Sequence, residues 1–189
     1  MSDFTFTAQP ALGGYHGDFV GISLEEVCDL AIVSIATPRG GADALASALK
    51  DAFGVTPPKA GKACQSKDGS TQFLGTSGDQ MFAVFDDPNP GASEVMADKL
   101  NNTGYCTLQS DNWVALKISG VRCREALVRI SPIDLSAANF PVGSVARTAM
   151  EHMGVIIYPE GDNTFVLLSA SSSAASFLDA LETSIHNVL

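Results

Sequence analysis

Gln72-Phe73-Leu74, then Gly75-Thr76-Ser77-Gly78, then Met81-Phe82-Ala83-Val84-Phe85 is the stretch that fixes the fold class. Two short runs rich in aromatic and aliphatic residues flank a glycine-containing connection of a few residues, which predicts a β-hairpin with a loop longer than two residues. A helix precedes this hairpin and another follows it. From Ala42, residues Leu45, Ala48, Leu49, Ala52 and Phe53 recur at helical spacing and Gly54 stands as the stop signal. Ala92, Val95, Met96 and Leu100 repeat the helical pattern after the breaker cluster Asp86-Asp87-Pro88-Asn89-Pro90-Gly91. Helices separated by strand pairs exclude a doubly wound parallel sheet, whose helices alternate with single strands.

Working outward, Ala31-Ile32-Val33-Ser34-Ile35-Ala36 is a short apolar, β-branched run ended by Pro38 and Gly40-Gly41, a buried strand. Pro57-Pro58 through Ser70 has almost no large apolar residue and reads as a mobile loop. The order then repeats. Trp113 to Ile118 is a strand, Ser119-Gly120 a turn, and Cys123, Ala126, Leu127 and Ile130 share one face of a helix that Pro132 ends. Val142 to Thr148, Val155 to Tyr158 and Phe165 to Leu168 are strands, with Pro159 to Asn163 as a hairpin loop. A last helix carries Ala174, Phe177, Leu178, Leu181 and Ile185 inward behind Ser171-Ser172-Ser173. The expectation is an α+β domain of two similar strand–helix halves, with mainly antiparallel sheet and helices packed on one side. Residues 1–25 read as an extended N-terminal tail and 26–189 as a single domain, its halves about 26–104 and 105–189.

The 189 residues suffice for one compact domain, and 46% hydrophobic against 17% charged excludes a disordered chain. A formal charge of −10 argues against nucleic-acid and anionic-membrane partners. No apolar run approaches the ~20 residues of a membrane span. Met1-Ser2-Asp3-Phe4-Thr5 lacks the basic and apolar regions of a signal peptide, so a cytoplasmic location is expected. Cys28, Cys64, Cys106 and Cys123 form no CxxC pair and read as buried or idle thiols.

Chemistry-bearing motifs are sparse. His16, His152 and His186 have no partner spacing for a metal site. Glu151-His152 has the composition of an acid–base pair, but a solvated or hydrogen-bonded histidine is the better reading. Cys123 lies on the apolar face of its helix, where it packs. Arg39-Gly40-Gly41 follows a strand and precedes a helix, yet lacks both GxGxxG spacing and a Walker lysine. Gly13-Gly14-Tyr15-His16-Gly17 is a second glycine cluster, explained more simply by tight turns than by phosphate. Between Lys117 and Arg147, five basic residues (Lys117, Arg122, Arg124, Arg129, Arg147) face two acids (Glu125, Asp134), a local net of +3 in an acidic chain. Such a face suits an acidic partner surface or an anionic cofactor, but a solvated helix face with one internal pair is the simpler reading.

The run Trp113 to Leu127 resembles the strand, Ser-Gly turn and helix of the aminomethyltransferase/folate-binding superfamily. Ser131-Pro132-Ile133-Asp134-Leu135, then Phe140-Pro141-Val142-Gly143-Ser144-Val145-Ala146-Arg147-Thr148, resembles the corresponding stretch of sarcosine oxidase gamma subunits. The resemblance runs from about Asp111 to Leu181 and is general before that. It implies a folate-binding/aminomethyltransferase-like fold and a small, flavin-free, architectural subunit without catalytic, cofactor or metal residues of its own. It implies alpha, beta and delta partners, alpha being the expected contact, in a cytoplasmic complex that demethylates sarcosine to glycine. Oxygen becomes hydrogen peroxide and the one-carbon unit passes to tetrahydrofolate. FAD, FMN, NAD, tetrahydrofolate and zinc are implied for the partner subunits. Arg122, Arg124 and Arg147 are then candidate interface anchors. Ser169 to Ser173 departs from the family in having no basic residue. The alternatives are a stand-alone folate-binding aminomethyl-transfer protein, a subunit of a related N-methyl amine (dimethylglycine) oxidase, and a thiol-based redox protein.

Overall fold

The computed structural model describes residues 9–86 and 91–189. Met1 to Thr5 and the Asp87-Pro88-Asn89-Pro90 part of the breaker cluster lie outside the described residues. Among these described residues, eleven strands and four α-helices follow in order. The first run is β1 (His16–Phe19), β2 (Ile22–Glu26), β3 (Leu30–Ala36), α1 (Ala42–Phe53) and β4 (Ala63–Gln65). Next come β5 (Thr71–Gly75), β6 (Gln80–Asp86), α2 (Ala92–Lys99) and β7 (Tyr105–Leu108). The chain ends with β8 (Trp113–Ser119), α3 (Cys123–Ile130), β9 (Ala146–Met150), β10 (Met153–Gly161), β11 (Thr164–Ala170) and α4 (Ala174–His186).

Local chemistry sets the helix limits. The amide of Gly54, in the left-handed region at φ 72°, donates to the Lys50 carbonyl and closes α1. Ser131 is extended ahead of Pro132, so α3 stops at Ile130.

Every strand pairing is antiparallel, in two sheets: β1-β2-β8-β11-β10-β9 and β4-β5-β6-β3-β7. The two halves are recognisable as strand, helix, three-stranded meander and helix, but each is led by a strand that crosses to the other's sheet. β2 pairs with β8 (Leu24↔Ile118, Glu25↔Lys117), while β7 pairs with β3 (Ile35↔Cys106). This corrects the reading of residues 1–25 as a tail: β1 and most of β2 lie in it. Ile22 and Leu24 are fully covered, yet two apolar residues among Ser23, Glu25 and Glu26 gave no strand signal. The segment is tied further by the Tyr15 hydroxyl, which donates to Glu182 on α4 at 2.5 Å.

The alternation along the strands separates three cores. Ala31, Val33 and Ile35 of β3, with Phe73, Met81 and Ala83, face Leu45, Leu49, Phe53 and Met96 of α1 and α2. Leu116, Ile118, Val155, Ile157, Phe165 and Leu167 face Cys123, Leu127, Phe177, Leu181 and Ile185 of α3 and α4. The opposite faces meet: Ile32, Leu74, Phe82 and Val84 pack against Ala115, Ile156, Tyr158, Val166 and Leu168. Each sheet carries its helices on one side, as expected, and the two sheets close face to face. Burial on both faces explains the uninterrupted apolar runs Val155–Tyr158 and Phe165–Leu168. Each large side chain so buried contributes roughly 1.5–3 kcal/mol.

The sheets are joined along one side. Lys62 and Ser144 form an antiparallel bridge, flanked by Ala63 N–H to Gly143 O at 2.8 Å and Val145 N–H to Gly61 O at 3.2 Å. The segment expected as a mobile loop therefore holds the strand β4. Its turn is organised by Asp68, whose carboxylate accepts from the hydroxyls of Ser66 and Ser70 and from the Ser70 amide. These bonds hold its pKa down at about 2. Two other boundaries move. The strand expected at Val142 begins at Ala146, because Val142–Val145 is used by the joint. The hairpin expected over Pro159–Asn163 narrows to Asp162-Asn163, with a register shift between Pro159 and Gly161. Pro159 is tolerated because β10 pairs with β9 only as far as Ile157.

The Ser119-Gly120 turn is dictated by a close backbone approach. Gly120 has φ +116°, and a Cβ there would lie 2.2 Å from the Gly21 carbonyl oxygen. The Gly120 amide donates to Asn163 O at 2.9 Å, and its carbonyl receives the Cys123 amide that starts α3. Gly120→Ala must push the β1–β2 turn away and strain its own backbone, so a loss of about 2–3 kcal/mol is expected in urea unfolding. A variant as stable as the parent would show that this turn is not constrained.

Candidate functional site

A cleft of about 490 Å³ opens where the inter-sheet core meets solvent. Leu30, Gln72, Val84 and Asp86 line it from one sheet, Tyr158 and Glu160 from the other. This volume falls within the range of small-molecule sites. Tyr158 is 2% exposed and has its ring in the inter-sheet core, whereas Asp86 and Glu160 stand exposed at the rim. Nearby, Lys117 Nζ donates to Glu25 Oε1 at 2.8 Å, a pairing imposed by their opposed positions on β8 and β2.

The ionisations show how these groups feel one another. The hydrogen bond to Glu25 holds the Lys117 ammonium above its usual range, burial opposing and the charges of Glu25, Glu160 and Asp86 adding. Partial desolvation against the cleft wall pushes Glu160 up; Lys117 pulls it down and Asp86 and Glu25 push it further up. Burial, then the charges of Glu160 and Asp86, hold the Tyr158 phenol far above its ordinary range. The cleft is therefore an anionic mouth over an apolar floor.

The residues singled out from sequence are dispersed. Arg122 bonds Glu125 at 3.0 Å and donates to the Val188 carbonyl, fastening the end of α4 to the start of α3. Arg124 donates to Asp162 O at 2.8 and 3.1 Å and to Leu135 O, with its guanidinium 4.7 Å from the Phe165 ring centroid. Arg147 is exposed on β9 and makes no ion pair among the described residues. The local excess of +3 does not form one face. His16 sits with Asp18 and Glu25, at 3.1 and 3.7 Å, and His186 stacks edge-on against Phe19. Glu151 and His152 form the exposed two-residue turn between β9 and β10, both at positive φ. Ser171 donates to Asp111 O at 2.7 Å.

Neither glycine cluster holds a free anion cradle. The amides of Leu12 and Gly14 are taken by the Glu26 carboxylate at 3.0 and 2.7 Å, and the Gly41 amide by Pro38 O. Sequence reasoning missed the cleft because Asp86, Tyr158 and Glu160, like the nearby Glu25–Lys117 pair, are scattered along the chain. Alternation along β8 and β10 is the signal that could have put Lys117 and Tyr158 on inward faces. No His, Cys, Asp and Glu grouping suited to a metal occurs among the described residues. Tetrahydrofolate does not fit the cleft either, because its anionic glutamyl tail meets carboxylates and no basic side chain lines the walls.

All four thiols are held above their usual range. Burial is the leading cause at each; Glu26 and Asp29 add at Cys28, and Cys106 is pushed up to about 11. Raised values leave less thiolate at neutral pH than free cysteine has, and thiolate is the nucleophile. Iodoacetamide should therefore label even exposed Cys28 more slowly than free cysteine at pH 7 and faster as pH climbs past about 9. Mass-spectrometric rates that plateau below about pH 8 would instead restore a thiol chemistry to this chain.

The sequence profile of the sarcosine oxidase, gamma subunit family matches residues 39–185. No curated protein matches the sequence. Among solved structures, heterotetrameric sarcosine oxidase from Corynebacterium sp. U-96, in complex with pyrrole 2-carboxylate, contains a similar chain. That chain has a TM-score of 0.75 at 21% identity, over 88% of this chain and 84% of the other. Glycine cleavage system aminomethyltransferase T from Bartonella henselae aligns with a TM-score of 0.64 at 12% identity, over 89% of this chain and 53% of that one. Both likenesses concern the fold, and this chain spans about half of the aminomethyltransferase. The profile match extends through both strand–helix halves, from the residues before α1 to the last turn of α4, and the chain belongs to the sarcosine oxidase gamma subunit family.

Proposed function

We propose that this chain is a non-catalytic subunit of a sarcosine oxidase complex, an oxidoreductase that oxidatively demethylates sarcosine to glycine. The observation that carries this reading is the family match over residues 39–185. In the proposed assembly, alpha, beta and delta chains hold FAD, FMN, NAD, tetrahydrofolate and zinc, in the cytoplasm. This chain buttresses alpha. No helix among the described residues is long and apolar enough to cross a membrane. The non-catalytic role is supported by how the reactive side chains are spent: thiols held protonated, histidines dispersed, and both glycine clusters tied internally. Affinity purification of the tagged chain from its native cell should bring down larger chains, yellow absorbance and sarcosine-dependent peroxide. A colourless, solitary protein that evolves heat with tetrahydrofolate would replace this reading with the aminomethyl-transfer one.

Within the assembly we assign different duties to the three arginines. Arg122 and Arg124 preserve the shape of the subunit, and Arg147, exposed on an outer strand, is the anchor. A stable interface covers about 800 Å² per side, and a charged anchor near its centre matters most. Arg147→Glu should weaken assembly about tenfold in a co-purification titration and leave the melting temperature unchanged. Arg124→Ala should do the reverse, costing about 1–3 kcal/mol of stability. Equal assembly of parent and Arg147→Glu would remove Arg147 as an anchor.

A further inference from the structure

The six-stranded sheet ends on β9, which pairs with β10 on one side and, among the described residues, with no strand on the other. The two-residue turn Glu151-His152, both residues at positive φ, makes Met150 and Met153 a hydrogen-bonded pair. Bonded and open positions alternate along an antiparallel ladder. Thr148 and Ala146 therefore also bond to β10, while Ala149, Arg147 and Val145 turn their backbone groups outward. The Val145 amide follows this alternation, donating away from the sheet to Gly61 O at 3.2 Å. Gly61 fills only that end of the edge. Beyond it, the backbone N–H and C=O groups of Arg147 and Ala149 have no partner among the described residues, and both residues are exposed.

This edge differs from the other three. β9 has five residues, against four in β1, three in β4 and four in β7. It contains no proline, and its register with β10 is unbroken. Short edges, prolines and bulges are the usual protections against strand addition, and β9 has none of them. The protection it does carry is positive charge, and charge is selective. Arg147 is exposed on the strand. Lys59 and Lys62 are exposed on the turn that holds Gly61 against Val145, a turn closed by Lys62 N–H to Lys59 O at 2.9 Å. None of the three makes an ion pair among the described residues, in a chain whose formal charge is −10. These cations repel a basic strand or a second identical edge and favour an acidic one.

We propose that the outer edge of β9 takes an extended acidic segment of a partner protein, which adds to the sheet as a strand. It pairs with the backbone of Arg147 and Ala149 and sets its carboxylates against Arg147, Lys59 and Lys62. Backbone pairing supplies affinity, and the carboxylates supply the choice of partner. The inference rests on the subunit reading for the partner being another chain of the assembly, and it specifies how Arg147 anchors that chain. The test uses the full chain alone, so that edge and assembly fail separately. The probe is an acetylated, amidated hexapeptide that alternates glutamate with valine. One comparator replaces glutamate by lysine. Another replaces valine by proline, which keeps every charge and removes backbone donors.

Amide hydrogen exchange at Arg147 and Ala149, read by NMR, should slow about tenfold when the glutamate peptide is at ten times its dissociation constant. That constant is expected at about 0.1–1 mM in low salt, and neither comparator should protect these amides. Arg147→Gln should weaken binding about threefold. Ala149→Pro, which removes a donor that the β9–β10 ladder does not use, should weaken it about tenfold. No protection by the glutamate peptide, equal protection by either comparator, or undiminished affinity in Arg147→Gln would overturn the proposal, whether or not Ala149→Pro folds. So would protection that rises with protein concentration in the absence of peptide, because a second copy is then the occupant. Whether the chain assembles with larger subunits is read independently, by co-purification.

Discussion

The contact between the two sheets is the constraint on which the rest depends. Ile32, Leu74, Phe82 and Val84 must cover Ala115, Ile156, Tyr158, Val166 and Leu168, and neither sheet can offer this face to water. Because each sheet is apolar on both sides, helices are required on the outer faces, which gives four layers from one chain of moderate length. The bridge between Lys62 and Ser144 closes one flank of this stack. Where the apolar contact runs out beyond Tyr158, polar groups replace it and a cleft begins. The site is thus the boundary of the core rather than an addition to it.

Arginine chemistry shows how one residue type takes opposite duties on this scaffold. The planar fork of Arg124 donates twice to the Asp162 carbonyl, at 2.8 and 3.1 Å, reaches the Leu135 carbonyl as well, and lies over an aromatic ring. It fixes the β10–β11 hairpin against α3. Arg147 has none of these partners and keeps its side chain in water. A count of charges along the chain groups the two, and only the hydrogen-bond geometry separates them.

Much of the fold was legible because strands buried on both faces and helices buried on one leave strong patterns. The limits of α1 and the β5–β6 hairpin follow from apolar spacing and from Gly54. The failures share a cause: short strands at or near a sheet edge bury few side chains. β2 buries Ile22 and Leu24, while β4 and β7 have no fully buried residue. β4 was obscured by the glycines and lysines around it, although its backbone pairs with Leu74, Phe73 and Gln72. Pro159 and Gly161 made a turn seem longer than it is, because breaker residues also occur where one edge of a strand is unpaired. The cleft was illegible for a different reason: Asp86 on one sheet and Tyr158 and Glu160 on the other come together only through long-range packing. The family resemblance, by contrast, rested on a contiguous stretch whose Ser-Gly turn has a definite physical reason, the approach of Gly21 to Gly120.

The exchange of leading strands has a consequence for how the molecule reaches this shape. β2 cannot complete its ladder until β8, more than ninety positions later, has been made, and β7 must return to β3 past two helices and the three strands between them. Neither half holds all the strands of its own sheet, so the structure does not divide into two independently folding modules. Such non-local pairing places the chain among slow folders, with its unfinished sheet edges uncovered during synthesis. A nascent half-chain is therefore a natural client for chaperones, and the finished subunit unfolds as one cooperative unit rather than repeat by repeat.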